Sequence, residues 1–420
     1  MDTHGYSPAV LHKIIGTAGQ VKSYELASRV VDLVGDIHVS GRHLNRLTEE
    51  IGTELQQQRD RATDDYVHHR RSLPEHPAPA VAVIALDGGR IQTRATGQGA
   101  GVHEQQWKED KVACLLAMEG PTFADDPHPQ PPRCFLDAPR VDELVRDIQS
   151  HPGPRQENEL PLLAELGRPR PTATAEPTAA ATSAVEPNRD WPPQRRKDGR
   201  TCVATLRDSA AFGKMVAAEA YRQNFAAAAR GALLGDGSAW IWTVHEKWFG
   251  RMTPIADFVH PLTYLYVTAT VLTSSVAERW QWYVAWMTAC WQGRVRAVIE
   301  ELEQRLAALG PYPGPGEPPS TDLREVLRKT LTYLGHNESR MKYAEYRCAG
   351  LPVTSSMVES LIKEMNYRVK GTEKFWDNPE GAEAILQVRA ALLSDDDRLA
   401  RHIEQRPGSA FRRHQKREQR

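Results

Sequence analysis

Seven consecutive apolar residues, Ala80-Val81-Ala82-Val83-Ile84-Ala85-Leu86, run into Asp87-Gly88-Gly89. An unbroken apolar run of this length, with no polar alternation, marks a strand buried on both faces. The helical patterns around it make the fold class α/β. The spacing allows Gly89 to Arg94 to return as a second strand. Trp107 to Lys111 leads into a third at Val112–Leu116, and Thr201–Leu206 reads as another.

Ahead of the run, residues 1–75 read as helical. Ser23 can cap a helix carrying Leu26, Val30, Val31 and Leu33, and Gly35-Asp36 breaks it. Ser40 can cap the next, with Leu44, Leu47 and Ile51 inward and Arg42, His43, Asn45 and Arg46 outward. Helix, short turn, helix suits a helix-turn-helix with Arg42 and Arg46 on DNA, although any antiparallel helix pair looks similar.

Residues 121–199 break the pattern. Proline, alanine and threonine dominate much of that stretch, so it reads as a flexible insert with one short helix at Val141–Ile148. From 263 to 344 the chain is helical and rich in tryptophan (Trp280, Trp282, Trp286, Trp291). At helical spacing such residues form a core or, less ordinarily, stack on bases. The last helix is expected over Pro379–Leu393, and 396–420 is a basic tail.

Composition removes some classes. No apolar run approaches about 18 residues, so no membrane partner is expected. The start, MDTHGYSPAVLHK, lacks a secretion signal's basic and apolar parts. Five scattered cysteines form no CxxC pair, which argues for reduced thiols and against a zinc module. The expected location is the cytosol. A net charge of −1 neither favours nor excludes a nucleic-acid partner.

Asp87 and Asp236 share a setting, each following an apolar strand pattern and preceding glycine. A carboxylate at a strand end is rigidly held, and the glycine leaves room for an ion and a phosphate. Asp-Gly is also an ordinary turn signal. A third acid, Glu359, falls beside the apolar stripe Val358, Leu361, Ile362 and Met365 of a helix expected after the Gly350-Leu351-Pro352 turn. Its bland reading is an i,i+4 pair with Lys363. Together the three would supply carboxylates to two divalent ions, and oxygen ligands favour Mg²⁺ or Mn²⁺.

With these residues in hand, the chain resembles the DDE-class transposases of bacterial insertion sequences. It is most similar to the Kra-type and Lre-type groups related to Mutator-like elements. The matching stretches are Asp87-Gly88-Gly89, Trp107-Lys108-Glu109 with Lys111, and Leu234-Gly235-Asp236-Gly237-Ser238-Ala239-Trp240-Ile241-Trp242. They continue with Asp257-Phe258-Val259-His260, then Asn337, Arg340-Met341, Tyr343, Arg347, Gly350-Leu351-Pro352 and Val358-Glu359-Ser360, and end with Arg368-Val369-Lys370-Gly371 and Trp376.

The resemblance implies a ribonuclease-H-like catalytic core over 76–120, 200–262 and 345–395, interrupted by the helical insertion at 263–344. Asp87 would contact both ions, and Asp236 and Glu359 one each. The reaction would be hydrolysis at the element's end, then attack of the freed 3′-hydroxyl on target DNA. Asp257, His260, Arg340, Arg347, Lys363, Arg368 and Lys370 would position DNA, with a structural Asp257–His260 hydrogen bond as the other reading of that pair. A homodimer or larger assembly on DNA is expected. Two alternatives stand beside this: a decayed or domesticated DNA-binding derivative, and a nuclease that never joins strands. Thr354-Ser355-Ser356 departs from the family's Ile-Gly-Ser-Gly.

Overall fold

The computed structural model of the protein describes residues 5–71, 73–93, 106–150, 159–171, 190–354, 364–365, 367–369, 376 and 378–406. Its five-stranded mixed sheet comprises β1 (Val81–Thr93), β2 (Gln106–Glu119), β3 (Gln194–Thr205), β4 (Arg230–Gly235) and β5 (Thr253–Ala256), in the order β3-β2-β1-β4-β5. With the helices described below, the fold is α/β.

The expected turn at Asp87-Gly88-Gly89 does not form; β1 runs straight through it to Thr93. A two-residue hairpin turn requires positive φ, and neither Gly88 nor Gly89 is among the positive-φ residues. What ends at Asp87 is the burial: Val81–Leu86 are buried, whereas residues 87–90 are half-exposed. Main-chain pairing does not depend on that change.

The chain packs as two compact units. The first draws on Met1–Ala117, Arg195–Ala228 and Met357–Arg420, the second on Met118–Gln194 and Ala229–Ser356. In the first lie α1 (Pro8–Gln20), α2 (Tyr24–Gly35) and α3 (Gly41–Val67), each started by a serine whose hydroxyl accepts a backbone N–H: Ser7, Ser23 and Ser40. Asp36 closes α2 in the left-handed conformation at φ 50°. Also here are α5 (Ser209–Arg222), α12 (Pro379–Leu393) and α13 (Arg398–Gln405). Helix α12 packs on α3 so closely that a Cβ on Gly52 would lie 2.2 Å from the Ala384 carbonyl oxygen. Only glycine permits that approach.

The second unit carries α4 (Ala138–Gln149), α6 (Ala239–Trp248), α7 (Val259–Leu272), α8 (Val276–Trp291), α9 (Val295–Leu309), α10 (Leu323–Asn337) and α11 (Tyr343–Cys348). Strands β4 and β5 run parallel here, with Gly235 in register with Ala256. The described part of 121–199 is packed: Phe135, Val141 and Val145 are buried. Trp280, Trp286 and Trp291 are also core residues, so base stacking does not apply to them. Trp291 meets Phe258 edge to face at 4.9 Å, and Trp286 donates to Glu301 at 2.9 Å. Among the described residues, no helix is long and apolar enough to cross a membrane.

Candidate active site

Asp236 follows the last residue of β4. Residues Ala232–Gly235 are buried, so the strand delivers Asp236 from a rigid base. The chain then reverses through Gly237, at φ 102°, into α6. The Asp236 carboxylate accepts the Ser238 amide at 2.8 Å on one oxygen and the Ser238 hydroxyl at 2.9 Å on the other. Each carboxylate oxygen has two lone pairs, so Ser238 orients the group while leaving it coordination capacity. The main-chain oxygen of Asp236 accepts the Tyr333 hydroxyl at 3.0 Å.

Asp257 stands beside it, just past the end of the neighbouring strand β5. Its amide donates to the Gly235 carbonyl at 2.8 Å, extending the β4–β5 register by one residue. Its side chain is buried. The His260 imidazole Nε2 lies 3.9 Å from the Asp257 carboxylate, and the hydrogen bond that joins the pair is between main chains, from the His260 amide to the Asp257 carbonyl at 3.2 Å. The next amide, Phe258, donates to Val353 at 3.1 Å, which draws the Gly350–Val353 segment onto β5. Gly350 is left-handed at φ 66°, and a Cβ there would sit 2.0 Å from the Pro121 oxygen. The predicted Gly-Leu-Pro turn is therefore present, and only glycine fits it.

Tyrosines surround this end of β4. Tyr264 stacks on Tyr333 with centroids 4.0 Å apart and planes 10° from parallel. Burial, then the Asp236 charge, pushes the Tyr264 phenol up to about 12. The same causes, with the Tyr264 neighbour, hold Tyr333 well above its ordinary value. Both phenols therefore remain protonated donors across the physiological range.

Asp87 has a different setting. It is half-buried within β1, and one carboxylate oxygen accepts the Gly88 amide at 2.8 Å. At the far end of that strand, Gln92 accepts the Trp376 amide at 3.0 Å. Glu359, Lys363 and Lys370 lie outside the described residues, as does the serine pair after Thr354.

The basic residues expected on DNA separate by exposure. Arg42 and Arg46 are exposed on α3, with Arg46 2.7 Å from His43. Arg340 is half-exposed, donating to the His336 carbonyl at 2.9 Å with its guanidinium 4.5 Å over Trp242. Arg347 is fully enclosed: it binds Asp126 through two nitrogens at 2.8 and 2.5 Å and lies 4.2 Å over Trp291. Arg368 is also enclosed, donating to the Ala18 and Lys22 carbonyls at the end of α1 and lying 4.5 Å over Tyr24. Both are internal ties rather than surface phosphate contacts.

Sequence reasoning did not single out Tyr333, Tyr264 or the orienting part played by Ser238. The signals available were the i,i+4 spacing of Tyr333 and Asn337 on one helix and the Asp-Gly-Ser order at 236–238. Compared with models of known protein families and with characterised proteins, the chain matches none.

Among the described residues, no three His, Cys, Asp or Glu side chains converge as a ligand cluster. The Asp236 and Asp87 carboxylates are hard oxygen donors, so their chemistry fits Mg²⁺ or Mn²⁺.

Proposed function

We propose that the protein is a DNA transposase of the DDE class that cuts and joins phosphodiesters through Asp87, Asp236 and Glu359. The observation that carries this reading is Asp236 itself. It stands at the carboxyl end of a parallel strand, the usual place for a functional group in an open α/β sheet. Ser238 fixes its orientation without saturating it.

Asp87, Asp236 and Glu359 would hold two Mg²⁺ or Mn²⁺ ions. When bound, such ions stabilise charge on the attacking and leaving oxygens of the phosphodiester. The protein's own residues supply placement. Asp236 is preset by β4 and Ser238, and Asp87 by its strand and the Gly88 amide. Exposed Arg42 and Arg46 would neutralise backbone phosphates, which gives affinity and register without sequence choice. The substrates would be the element's ends and target DNA. Because two ends must be joined, a homodimer or larger assembly on DNA goes with the reading. The ribonuclease-H-like core, its boundaries and the 263–344 insertion belong to the same proposal.

The test is nicking of supercoiled plasmid with Mg²⁺ or with chelator, for wild type, Asp87→Asn and Glu359→Gln. Nicking by wild type alone, abolished by chelator, is the expected result. Equal nicking by all three would remove the carboxylates from the mechanism. DNA binding without nicking by any of them would favour the decayed, binding-only derivative.

A further inference from the structure

Two α10 residues one turn apart hold both sides of the Asp236 turn. Before the turn, Tyr333 donates its hydroxyl to the Asp236 carbonyl at 3.0 Å. After it, α6 is tied by Trp242, whose indole donates to Asn337 at 3.1 Å. Asn337 also donates back to the Tyr333 carbonyl at 3.0 Å, so the two partners share one rigid helical turn. Between them sits Gly237. A Cβ there would come within 2.7 Å of Tyr333 and 2.8 Å of Asn337, so the two side chains close over the glycine. Tyr333 is itself fixed by its stack on Tyr264 of α7.

We infer that Tyr333, backed by Asn337, is the positioning residue of Asp236: it fixes the aspartate through the backbone and leaves the carboxylate to a divalent cation. The inference rests on the metal-dependent reading above and adds a residue to it. The choice of acceptor is the central point. A phenol bonded to the carboxylate would compete with the cation for lone pairs; a phenol bonded to the carbonyl orients the same residue without competing. Helix α10 thereby fixes the backbone of a residue 97 positions earlier, just past the end of β4. Removing such an outer partner typically costs 10–100-fold in metal affinity, so Tyr333→Phe is expected to weaken binding by about 10-fold.

The experiment is Mn²⁺ binding to the full chain, read from the electron paramagnetic resonance signal of free Mn²⁺, with thermal midpoints in parallel. Wild type, Asp236→Asn, Tyr333→Phe, Asn337→Leu and Tyr266→Phe are compared. Tyr266→Phe controls for loss of a buried phenol, since that hydroxyl bonds Asp142 at 3.1 Å and not the Asp236 turn. The expected pattern is binding by wild type, loss with Asp236→Asn, about 10-fold weakening with Tyr333→Phe and Asn337→Leu, and no change with Tyr266→Phe. Wild-type affinity in Tyr333→Phe, with Asp236→Asn defective, overturns the positioning role and spares the metal reading. Equal weakening in Tyr333→Phe and Tyr266→Phe also overturns it, because general loosening would then suffice. No binding by wild type, or binding unaffected by Asp236→Asn, removes the metal reading and the inference together.

Discussion

The two units hold themselves together by different physics. In the first, Arg222 and Arg398 share Glu219 and Asp396, with Arg222 2.6 Å from Glu219 and 2.7 Å from Asp396. Arg59 meets Glu383 at 2.7 Å, and Arg406 meets Glu50 and Glu54 at 2.6 and 2.7 Å. These pairs tie α3, α5, α12 and α13 at their charged edges. The second unit has its own enclosed pair, Arg347 with Asp126, but its interior is chiefly aromatic: Tyr264 on Tyr333, Phe258 on Trp291 and Tyr343, Tyr266 on Tyr283. The lesson concerns Asp236. Its surroundings are phenols that stay neutral over a wide pH range, so its geometry is insulated from the titrations that govern the first unit.

The largest effect on stability that would sharpen this contrast comes from breaking the shared network. Glu219→Ala leaves Arg222 and Arg398 short of a buried partner and is expected to cost about 3–5 kcal/mol. Arg347→Ala removes a charged partner from the part-buried Asp126, which keeps the His128 amide at 3.0 Å, and is expected to cost less, about 1–3 kcal/mol, in the second unit. Chemical denaturation of the two variants measures both. A loss below about 1 kcal/mol for Glu219→Ala would mean that the first unit does not depend on its ion pairs.

pH should separate the units next. Glu219 is buried, but the charges of Arg398 and Arg222 outweigh that desolvation and hold its carboxyl far below its ordinary 4.5. Hydrogen bonds and charges from their partners likewise outweigh burial at Asp396 and Glu54 and lower both. A depressed carboxylate stabilises the fold above its unfolded value, and that contribution is lost as pH falls through the folded one. The first unit should therefore loosen in acid, below about pH 4. Raised phenols act in the opposite direction. Tyr264, at about 12 against an ordinary 10.0, stabilises below pH 10, and the contribution is lost as pH rises from 10 toward 12. Tyr266, Tyr283, Tyr333 and Tyr343 share that direction, chiefly through burial. Tyr24 in the first unit is also pushed up to about 12, so the alkaline contrast is one of degree. Hydrogen exchange should show α5 and α13 losing protection first in acid, and α7 and α10 first in alkali. The same order at both extremes would break the comparison.

Smaller effects probe single turns. Gly237→Ala combines positive φ with crowding against Tyr333 and Asn337, and should cost about 1–3 kcal/mol. Ser40→Ala removes the α3 cap, which accepts the His43 amide at 3.3 Å, and should cost about 1 kcal/mol. Arg42→Ala with Arg46→Ala should leave stability within about 0.5 kcal/mol. That double change should weaken binding to any duplex and flatten its salt dependence. A stability loss with unchanged DNA affinity would make α3 a scaffold only.

What the sequence disclosed was local. Ser23 and Ser40 announce helix starts because a cap acts within three residues, and both cap in the fold. Gly350 was legible for the same reason. The continuation of β1 past Asp87 was not, since an Asp-Gly-Gly triplet reads as a turn unless neighbouring strands pair with it. Arg347 and Arg368 looked like surface cations because their partners, Asp126, Tyr24 and the end of α1, lie far off in sequence. The Tyr333–Asp236 bond is hidden for the same reason, joining positions 97 apart. The acids themselves were visible as residue types; what orients Asp236 was not.

The central claim is that Asp236 belongs to a strand-joining active site. The most direct measurement is strand transfer in Mg²⁺, using labelled duplexes that carry the DNA flanking this gene with pre-cut 3′-hydroxyl ends, for wild type beside Asp236→Asn. Joined products from wild type and a loss on the order of 10⁴-fold in the variant are expected, the scale at which one member of a catalytic unit fails. Equal products from both proteins, or none from a wild type that binds the duplex, would contradict it.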